Sequence, residues 1–197
     1  VADVVETTTI DLSDETQTVD ENTVATDTPV LSGTPIGVVT YAITGGTDQG
    51  LFSIDPATGE VTLPAQDFEN PADSDGDNVY VVEVTGTDAD GNQAVGTVTI
   101  TVADVVETTT IDLSDETQTV DENTVATDTP VLSGTPIGVV TYAITGGTDQ
   151  GLFSIDPATG EVTLPAQDFE NPADSDGDNV YVVEVTGTDA DGNQAVG

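Results

Sequence analysis

The residues of this chain that can do chemistry are almost all carboxylates. The chain has 38 aspartates and glutamates among 197 residues, and it contains no lysine, arginine, histidine or cysteine. Nucleophilic and general-base catalysis lose their usual participants, which leaves only a carboxylate pair of the glycosidase kind. Divalent cations with oxygen ligands relieve repulsion among so many like charges most effectively. We therefore expect calcium as the cofactor and no enzymatic activity.

The same composition disfavours several classes of partner and location. Nucleic acid and anionic membrane surfaces both require positive charge on the protein, and no apolar run approaches the length that crosses a bilayer. The N-terminal sequence VADVVETTTI lacks the features of a signal peptide, so we expect an internal piece of a longer protein. Solvation at high salt is a rival explanation of the acidic composition, and it predicts a response to ionic strength instead of calcium.

The chain contains two copies of one sequence. Residues 1–96 recur without a change as residues 102–197, a shift of 101 positions. This period is near the size of an independent domain and exceeds that of solenoid repeats. We therefore expect the end of a preceding linker at 1–5, one repeat at 6–103, a calcium-binding linker at 104–107 and a second repeat at 108–197.

Alternation of apolar and polar residues predicts strands throughout each repeat. The sequences VYVVEVTGT at 79–87 and TVTITV at 97–102 alternate most clearly, and the turn residues at 90–92 join them into a hairpin. Shorter strands are expected at 8–12, 17–19, 29–32, 39–44, 52–54 and 61–63. About seven strands in a repeat of this length favour an antiparallel β-sandwich.

The order and spacing of six short motifs resemble the cadherin-like repeat, in particular the bacterial versions in the extender regions of RTX adhesins. The motifs are Asp20-Glu21-Asn22, Tyr41-Ala42-Ile43, the run from Phe52 to Val61, Asp67-Phe68-Glu69, the run from Val84 to Asp88, and Val102-Ala103-Asp104. The resemblance implies tandem Ig-like, cadherin-like Greek-key sandwiches of about seven strands, elongated end to end. It also implies calcium between consecutive repeats.

Site residues follow from the same resemblance. The ligands implied at the junction are Glu21, Asp67, Glu69, Asp104 and, from the second repeat, Asp189, with Asn22 adjacent. Two half-built end sites are implied as well. One consists of Glu122, Asp168 and Glu170, and the other of Asp3 and Asp88.

Two departures from the cadherin pattern reduce the number of ions that we expect at the junction. The loop at 32–37 has no carboxylate where that pattern has an acidic pair. The linker Asp104-Val105-Val106-Glu107 is also shorter and less acidic.

Two further acidic segments leave alternatives open. Asp73, Asp75 and Asp77 form either a local calcium site or a solvated loop, and an EF-hand does not fit because Val84 stands at its twelfth position. Asp90, beside Asp88, is either a ligand or part of an ordinary Asp-Gly turn.

Three classes of function remain for comparison. We expect a structural extender on a bacterial cell surface, in which calcium stiffens the junction between neighbouring identical repeats and projects a distal binding region. The alternative is an adhesive module for carbohydrate, protein or ice, although the chain has only four tyrosines, four phenylalanines and no tryptophan. An enzyme is the weakest of the three.

The second repeat lacks a counterpart of residues 97–102. Its last residue, Gly197, is equivalent to Gly96. A sandwich without its final strand has an open edge, which invites pairing with another chain. We therefore expect the second repeat to be completed by a neighbouring molecule or by further residues.

Overall fold

The computed structural model describes residues 4–197, and regular structure in it is almost entirely β-strand. Asp3, which the sequence assigns to an end site, lies outside the described residues. The chain divides into two compact units, Val1–Val105 (unit 1) and Val106–Gly197 (unit 2). Among the described residues, no helix is long and apolar enough to span a membrane.

The described residues of unit 1, from 4 to 105, form nine strands and one turn of 3-10 helix. The strands are β1 Ile10–Leu12, β2 Glu15–Asp20, β3 Ala25–Asp27, β4 Leu31–Gly33, β5 Thr40–Gly45, β6 Ser53–Ile54, β7 Val61–Leu63, β8 Val79–Thr87 and β9 Gln93–Ala103, and the 3-10 turn is Gln49–Leu51. The predicted all-β class is confirmed.

The sheets of unit 1 are organised around the β8–β9 hairpin. The four-stranded sheet has the order β2-β9-β8-β5, and two smaller sheets have the orders β3-β7-β6 and β1-β4. Strand β2 pairs with β9 in parallel, from Glu15 opposite Val98 to Asp20 opposite Ala103. The consecutive strands β1 and β2 therefore belong to two different sheets, because β1 pairs with β4 and β2 pairs with β9.

The core of unit 1 lies between the sheets. Tyr80, Val82 and Val84 on β8 and Val98 and Ile100 on β9 are completely buried, as their alternation predicts. They pack in one cluster with buried residues of the other sheets, including Leu12, Ala25, Val61 and Leu63. Full burial of each such aliphatic side chain stabilises the fold by about 1.5–3 kcal/mol.

Two elements of unit 1 are not anticipated by the sequence. Strand β3 has only one buried residue, Ala25, and it is a strand because β7 supplies its hydrogen-bond partners. The 3-10 turn Gln49–Leu51 is too short to have a helical period.

Unit 2 has the same order of elements with one omission. Its strands are β10 Ile111–Leu113, β11 Ala126–Asp128, β12 Leu132–Gly134, β13 Thr141–Gly146, β14 Ser154–Ile155, β15 Val162–Leu164, β16 Glu184–Thr188 and β17 Gln194–Val196, with a 3-10 turn at Gln150–Leu152. Residues 116–121, which are equivalent to β2, form no strand. The sheet of unit 2 that corresponds to β2-β9-β8-β5 has the order β13-β16-β17.

The omission leaves an apolar groove in unit 2. Phe169 is 63% exposed and Val182 is 47% exposed, and both line a groove of about 610 Å³. In unit 1 the corresponding space holds the buried side chains of Val98, Ile100 and Val102. The counterparts of Val98, Ile100 and Val102 would come after Gly197. In the given chain, residues 116–121 and 180–183 therefore have no strand between them with which to pair.

Appending the sequence Thr-Val-Thr-Ile-Thr-Val after Gly197 is expected to raise the free energy of unfolding of unit 2 by roughly 2 kcal/mol or more, because three aliphatic side chains become buried. Urea unfolding with amide hydrogen exchange at 180–183 measures the effect. The control extension has serine in place of valine and isoleucine. Equal stability of the two extended chains would contradict the prediction.

Matched valine truncations measure the same difference from within the chain. Val82→Ala is expected to destabilise unit 1 by roughly 1 to 3 kcal/mol, because Val82 is completely buried. Its equivalent, Val183, is only partly buried. Val183→Ala should therefore cost less, and chemical denaturation of the two variants gives the comparison. A larger cost in unit 2 would refute this account of its core.

Candidate metal sites

Three carboxylates meet at the end of unit 1 from which the chain leaves. One oxygen each from Glu21, Glu69 and Asp104 lies within 4.8 Å of the other two, and we name this group the exit cluster. Glu21 directly follows β2, and Asp104 directly follows β9. Because these strands are parallel, their ends meet at the same edge of the sheet. The topology therefore brings together residues that are 83 positions apart (104 minus 21).

Glu21 is held rigidly within the exit cluster. Its side chain is 4% exposed, and its two oxygens accept hydrogen bonds from the backbone N–H of Phe68 (3.0 Å) and of Val105 (2.9 Å). Its own N–H donates to the carbonyl of Ala103 (3.0 Å). Glu21 thus fixes the backbone on both sides of Asp104.

Asp67 does not join the exit cluster, although the resemblance assigns it as a ligand. One of its oxygens accepts hydrogen bonds from the N–H groups of Glu69 and Asn70, both at 3.1 Å. Asp67 therefore shapes the turn that presents Glu69. Asn22 adopts a left-handed backbone with φ of 59°, and its N–H donates to the carbonyl of Gln66 at 2.8 Å.

The related group in unit 2 is more open, and it contains Asp168, the equivalent of Asp67, in place of an equivalent of Asp104. Oxygens of Glu122, Asp168 and Glu170 lie within 4.8 Å of one another, and all three side chains are exposed. Glu122 accepts a hydrogen bond from the N–H of Phe169 at 3.4 Å. Glu122 also accepts one from the Asn123 side-chain amide at 3.3 Å, so its hydrogen bonds are longer than those of Glu21 and one of them comes from the neighbouring residue.

Asp88 is used within its own hairpin. It is 5% exposed, and it accepts hydrogen bonds from the N–H groups of Ile36, Asp90 and Asn92 at 2.9–3.0 Å. Burial raises the pKa of the Asp88 carboxyl. Hydrogen bonds from Ile36 and Asn92 lower it by a larger amount, so the pKa lies below the ordinary value. Among the described residues, Asp88 belongs to no group of three clustered carboxylates.

Asp189 has the same surroundings in unit 2. It accepts hydrogen bonds from the N–H of Ile137 and from the backbone and side-chain amides of Asn193. Burial raises its pKa and these hydrogen bonds lower it, with a net shift below the ordinary value. Its carboxylate is therefore charged and closely surrounded by donors.

Asp90 and Asn92 hold the segment that enters unit 1. Asp90 accepts a hydrogen bond from the N–H of Glu6 at 2.6 Å, and the Asn92 side chain donates to the carbonyl of Glu6 at 3.1 Å. Asp191 and Asn193 make the same pair of hydrogen bonds to Glu107 in unit 2. Sequence reasoning missed this role of Asn92, which follows from contacts between residues far apart in the chain.

A third group of carboxylates lies in the loop before β8. Oxygens of Asp73, Asp75 and Asp77 lie within 4.8 Å of one another, and we name residues 73–78 the acidic loop. The negative charge of Asp77 raises the pKa of Asp75, with smaller contributions from burial and from Asp73. Unit 2 repeats the group, which consists of Asp174, Asp176 and Asp178.

Asp48 supports the acidic loop from beneath, and sequence reasoning missed it. It is 5% exposed, and it accepts hydrogen bonds from the N–H groups of Ser74 (3.1 Å) and Val81 (2.9 Å). Burial raises its pKa, but the hydrogen bonds from Val81, Thr47 and Ser74 lower it below the ordinary value. The signal available in the sequence is Gly46. In the structure this glycine has a φ of 100° and approaches Val81 closely, which brings the turn against β8.

The candidate sites share one kind of chemistry. Every clustered group consists of carboxylates, and the sequence has no histidine or cysteine to supply nitrogen or sulfur ligands. Oxygen-only ligands suit the hard cations calcium and magnesium. Two ligands on opposite sides of one calcium ion are separated by about 4.8 Å, so each cluster is small enough for one ion.

Comparisons with known proteins give the fold a name. No family model matches the chain. Protocadherin-16 of Rattus norvegicus is 27% identical over 148 residues, which are 70% of this chain and 4% of that protein.

Two solved structures have a similar fold. The extracellular domain of protocadherin gammaB4 matches with a TM-score of 0.52 and 17% identity, covering 96% of this chain and 34% of that one. Extracellular cadherin domains 1–4 of protocadherin gammaB7 match with a TM-score of 0.52 and 17% identity, covering 96% of this chain and 48% of that one. The chain spans less than half the length of each of these relatives. Its fold is the cadherin-like, Ig-type β-sandwich.

Proposed function

We propose that this chain is part of a structural extender, in which calcium bound at the junction between cadherin-like units limits their relative motion. The exit cluster is the observation that carries this proposal. Its three carboxylate oxygens lie within 4.8 Å of one another, and the chain has no cationic side chain to neutralise them. A cation from solution is the remaining source of compensating charge.

The position of the exit cluster favours an ion at the junction. Asp104 lies one residue before the end of unit 1, which is Val105. The Val105 N–H donates to Glu21 in unit 1, and the Glu107 N–H donates to Asp191 in unit 2. Val106 is thus the single residue between Val105, whose N–H is bound within unit 1, and Glu107, whose N–H is bound within unit 2. An ion bound by Asp104 and by both units would restrict this short connection.

Calcium has six to eight oxygen ligands, so three carboxylates leave room for more. In our proposal Asp67 and Asp189 contribute further oxygens, directly or through water. Asp189 also frames the hairpin of unit 2. Its replacement would disturb that hairpin as well as the ion, so Glu69 is the better residue to test.

Identical copies favour a role as a spacer. Residues 1–96 and 102–197 do not differ at any position, including exposed ones, so neither copy is adapted to its own ligand. The motifs in the sequence and the cadherin-like fold lead us to propose an extracellular location, in an RTX-type adhesin of a bacterial cell surface. Each added repeat would then extend the reach of a distal binding region.

Removal of calcium is expected to make the two-unit chain flexible. Small-angle X-ray scattering in millimolar calcium should show a stiffer particle than scattering in excess chelator at the same ionic strength, because the ion no longer bridges the units. Magnesium at the same concentration serves as a control. If sodium chloride alone reproduces the calcium state, the carboxylates serve solvation, and the proposal fails.

A matched pair of variants tests the position of the ion. Glu69→Gln is expected to weaken calcium binding at the junction by about tenfold or more, because it removes one charged ligand. Glu170→Gln makes the same change at the equivalent residue of unit 2, in a group whose three members, Glu122, Asp168 and Glu170, all lie after Val106. In calcium titrations followed by scattering, the midpoint concentration should rise for Glu69→Gln only. Equal rises for both variants would contradict the position of the ion at the junction.

A further inference from the structure

The acidic loop contains an oxygen that the fold leaves without a partner. Asp73 is 9% exposed, and its Oδ2 accepts hydrogen bonds from the N–H groups of Asp77 (2.8 Å) and Asn78 (3.1 Å). Its Oδ1 is buried and has no hydrogen-bond partner. Buried carboxylate oxygens normally have partners, so this one indicates a ligand.

Unit 2 shows the same feature in its own loop. Asp174 is also 9% exposed. Its Oδ2 accepts hydrogen bonds from the N–H groups of Asp178 (2.7 Å) and Asn179 (3.0 Å), and its Oδ1 is buried without a partner. Unit 2 lacks the pairing that completes the sheet of unit 1, so the loop geometry does not depend on that pairing.

The loop is also held in place without a metal ion. Asp48 accepts hydrogen bonds from Ser74 in the loop and from Val81 on β8. The Asp77 side chain accepts a hydrogen bond from the N–H of Val79 at 2.9 Å. The buried carboxylate therefore faces a loop whose backbone is fixed on both sides, with two exposed carboxylates above it.

We propose that each acidic loop binds one calcium ion of its own, with Asp73 Oδ1 and the carboxylates of Asp75 and Asp77 as ligands. The three carboxylates have oxygens within 4.8 Å of one another, a spacing that one calcium ion can span. Asp174, Asp176 and Asp178 form the second site. Backbone carbonyls and water complete the coordination.

This site differs from the junction in what it stabilises. All of its ligands lie within six residues of one unit, so the ion fixes the connection that leads into β8. Calcium would then act on the stability of each unit separately, whether or not a neighbouring unit is present. The loop sites are independent of the proposed extender function.

The test compares two variants of the whole chain with equal charge. The loop variant carries Asp75→Asn, Asp77→Asn, Asp176→Asn and Asp178→Asn, and it retains the buried Asp73 and Asp174. The control carries Asp11→Asn, Glu60→Gln, Asp112→Asn and Glu161→Gln, all at exposed positions outside the clusters. Calorimetric titration with calcium at fixed ionic strength gives the number of ions bound and their dissociation constants.

The loop variant should bind two fewer ions per chain, or bind them at least about tenfold more weakly, while the control matches the original chain. Calcium should also slow amide hydrogen exchange at Asp77 and Asn78 in the original chain and the control only. An unchanged number of ions in the loop variant would overturn the proposal. Equal slowing by magnesium or sodium chloride would overturn the assignment to calcium.

The Glu69→Gln variant separates this proposal from the junction. It should keep the protection of Asp77 and Asn78 by calcium while losing the calcium effect in scattering. If the loop sites are wrong but the extender is right, scattering responds to calcium and the loop amides do not. If the extender is wrong and the loop sites are right, the reverse is seen.

Discussion

The absence of any positively charged side chain is the constraint on which the structure depends. A buried carboxylate in most proteins can pair with lysine or arginine, but this chain has neither. Its most buried acidic side chains therefore accept backbone N–H groups. Glu21 binds Phe68 and Val105, Asp48 binds Ser74 and Val81, and Asp88 binds Ile36 and two residues of its own hairpin. Each of these carboxylates joins loops that are distant in the sequence, so the acidic residues act as structural connectors.

Only part of this arrangement could be predicted from the sequence. The strands at 79–87 and 97–102 were correct because both faces of that hairpin follow a strict alternation, and their inward residues are buried. The resemblance to cadherin-like repeats implied one site for Glu21, Asp67, Glu69, Asp104 and Asp189, and the structure groups Glu21, Glu69 and Asp104. The sequence does not reveal that Asp67 and Asp88 also accept backbone hydrogen bonds in their own turns, because an aspartate that organises a turn and one that faces a ligand look alike in a sequence. The role of Asp48 depends on its contact with Val81, 33 positions away.

The two units show how strongly burial depends on context. Their sequences are identical over residues 1–96 and 102–197, yet Tyr80 is completely buried and its equivalent, Tyr181, has a buried hydroxyl without a hydrogen-bond partner. In unit 1 the Tyr80 hydroxyl accepts a hydrogen bond from the N–H of Ala72. The units differ because unit 1 has the residues of β9 from Thr97 onward. Local sequence therefore sets the alternation, while the neighbouring strand determines what that alternation buries.

The same strand connects the fold to the proposed junction site. Strand β2 exists only where β9 lies beside it in parallel, and residues 116–121 of unit 2 have no such neighbour and form no strand. Glu21 follows β2, and its buried position requires the carbonyl of Ala103 and the N–H of Val105, which follow from β9. Its equivalent, Glu122, is exposed. In unit 1, the pairing of β2 with β9 therefore places the exit carboxylates. If calcium binds there, each ion favours the completed state of the preceding unit, because only that state presents the full set of ligands. Folding of one unit and stiffening of the next junction would then be linked through the pairing of β2 with β9.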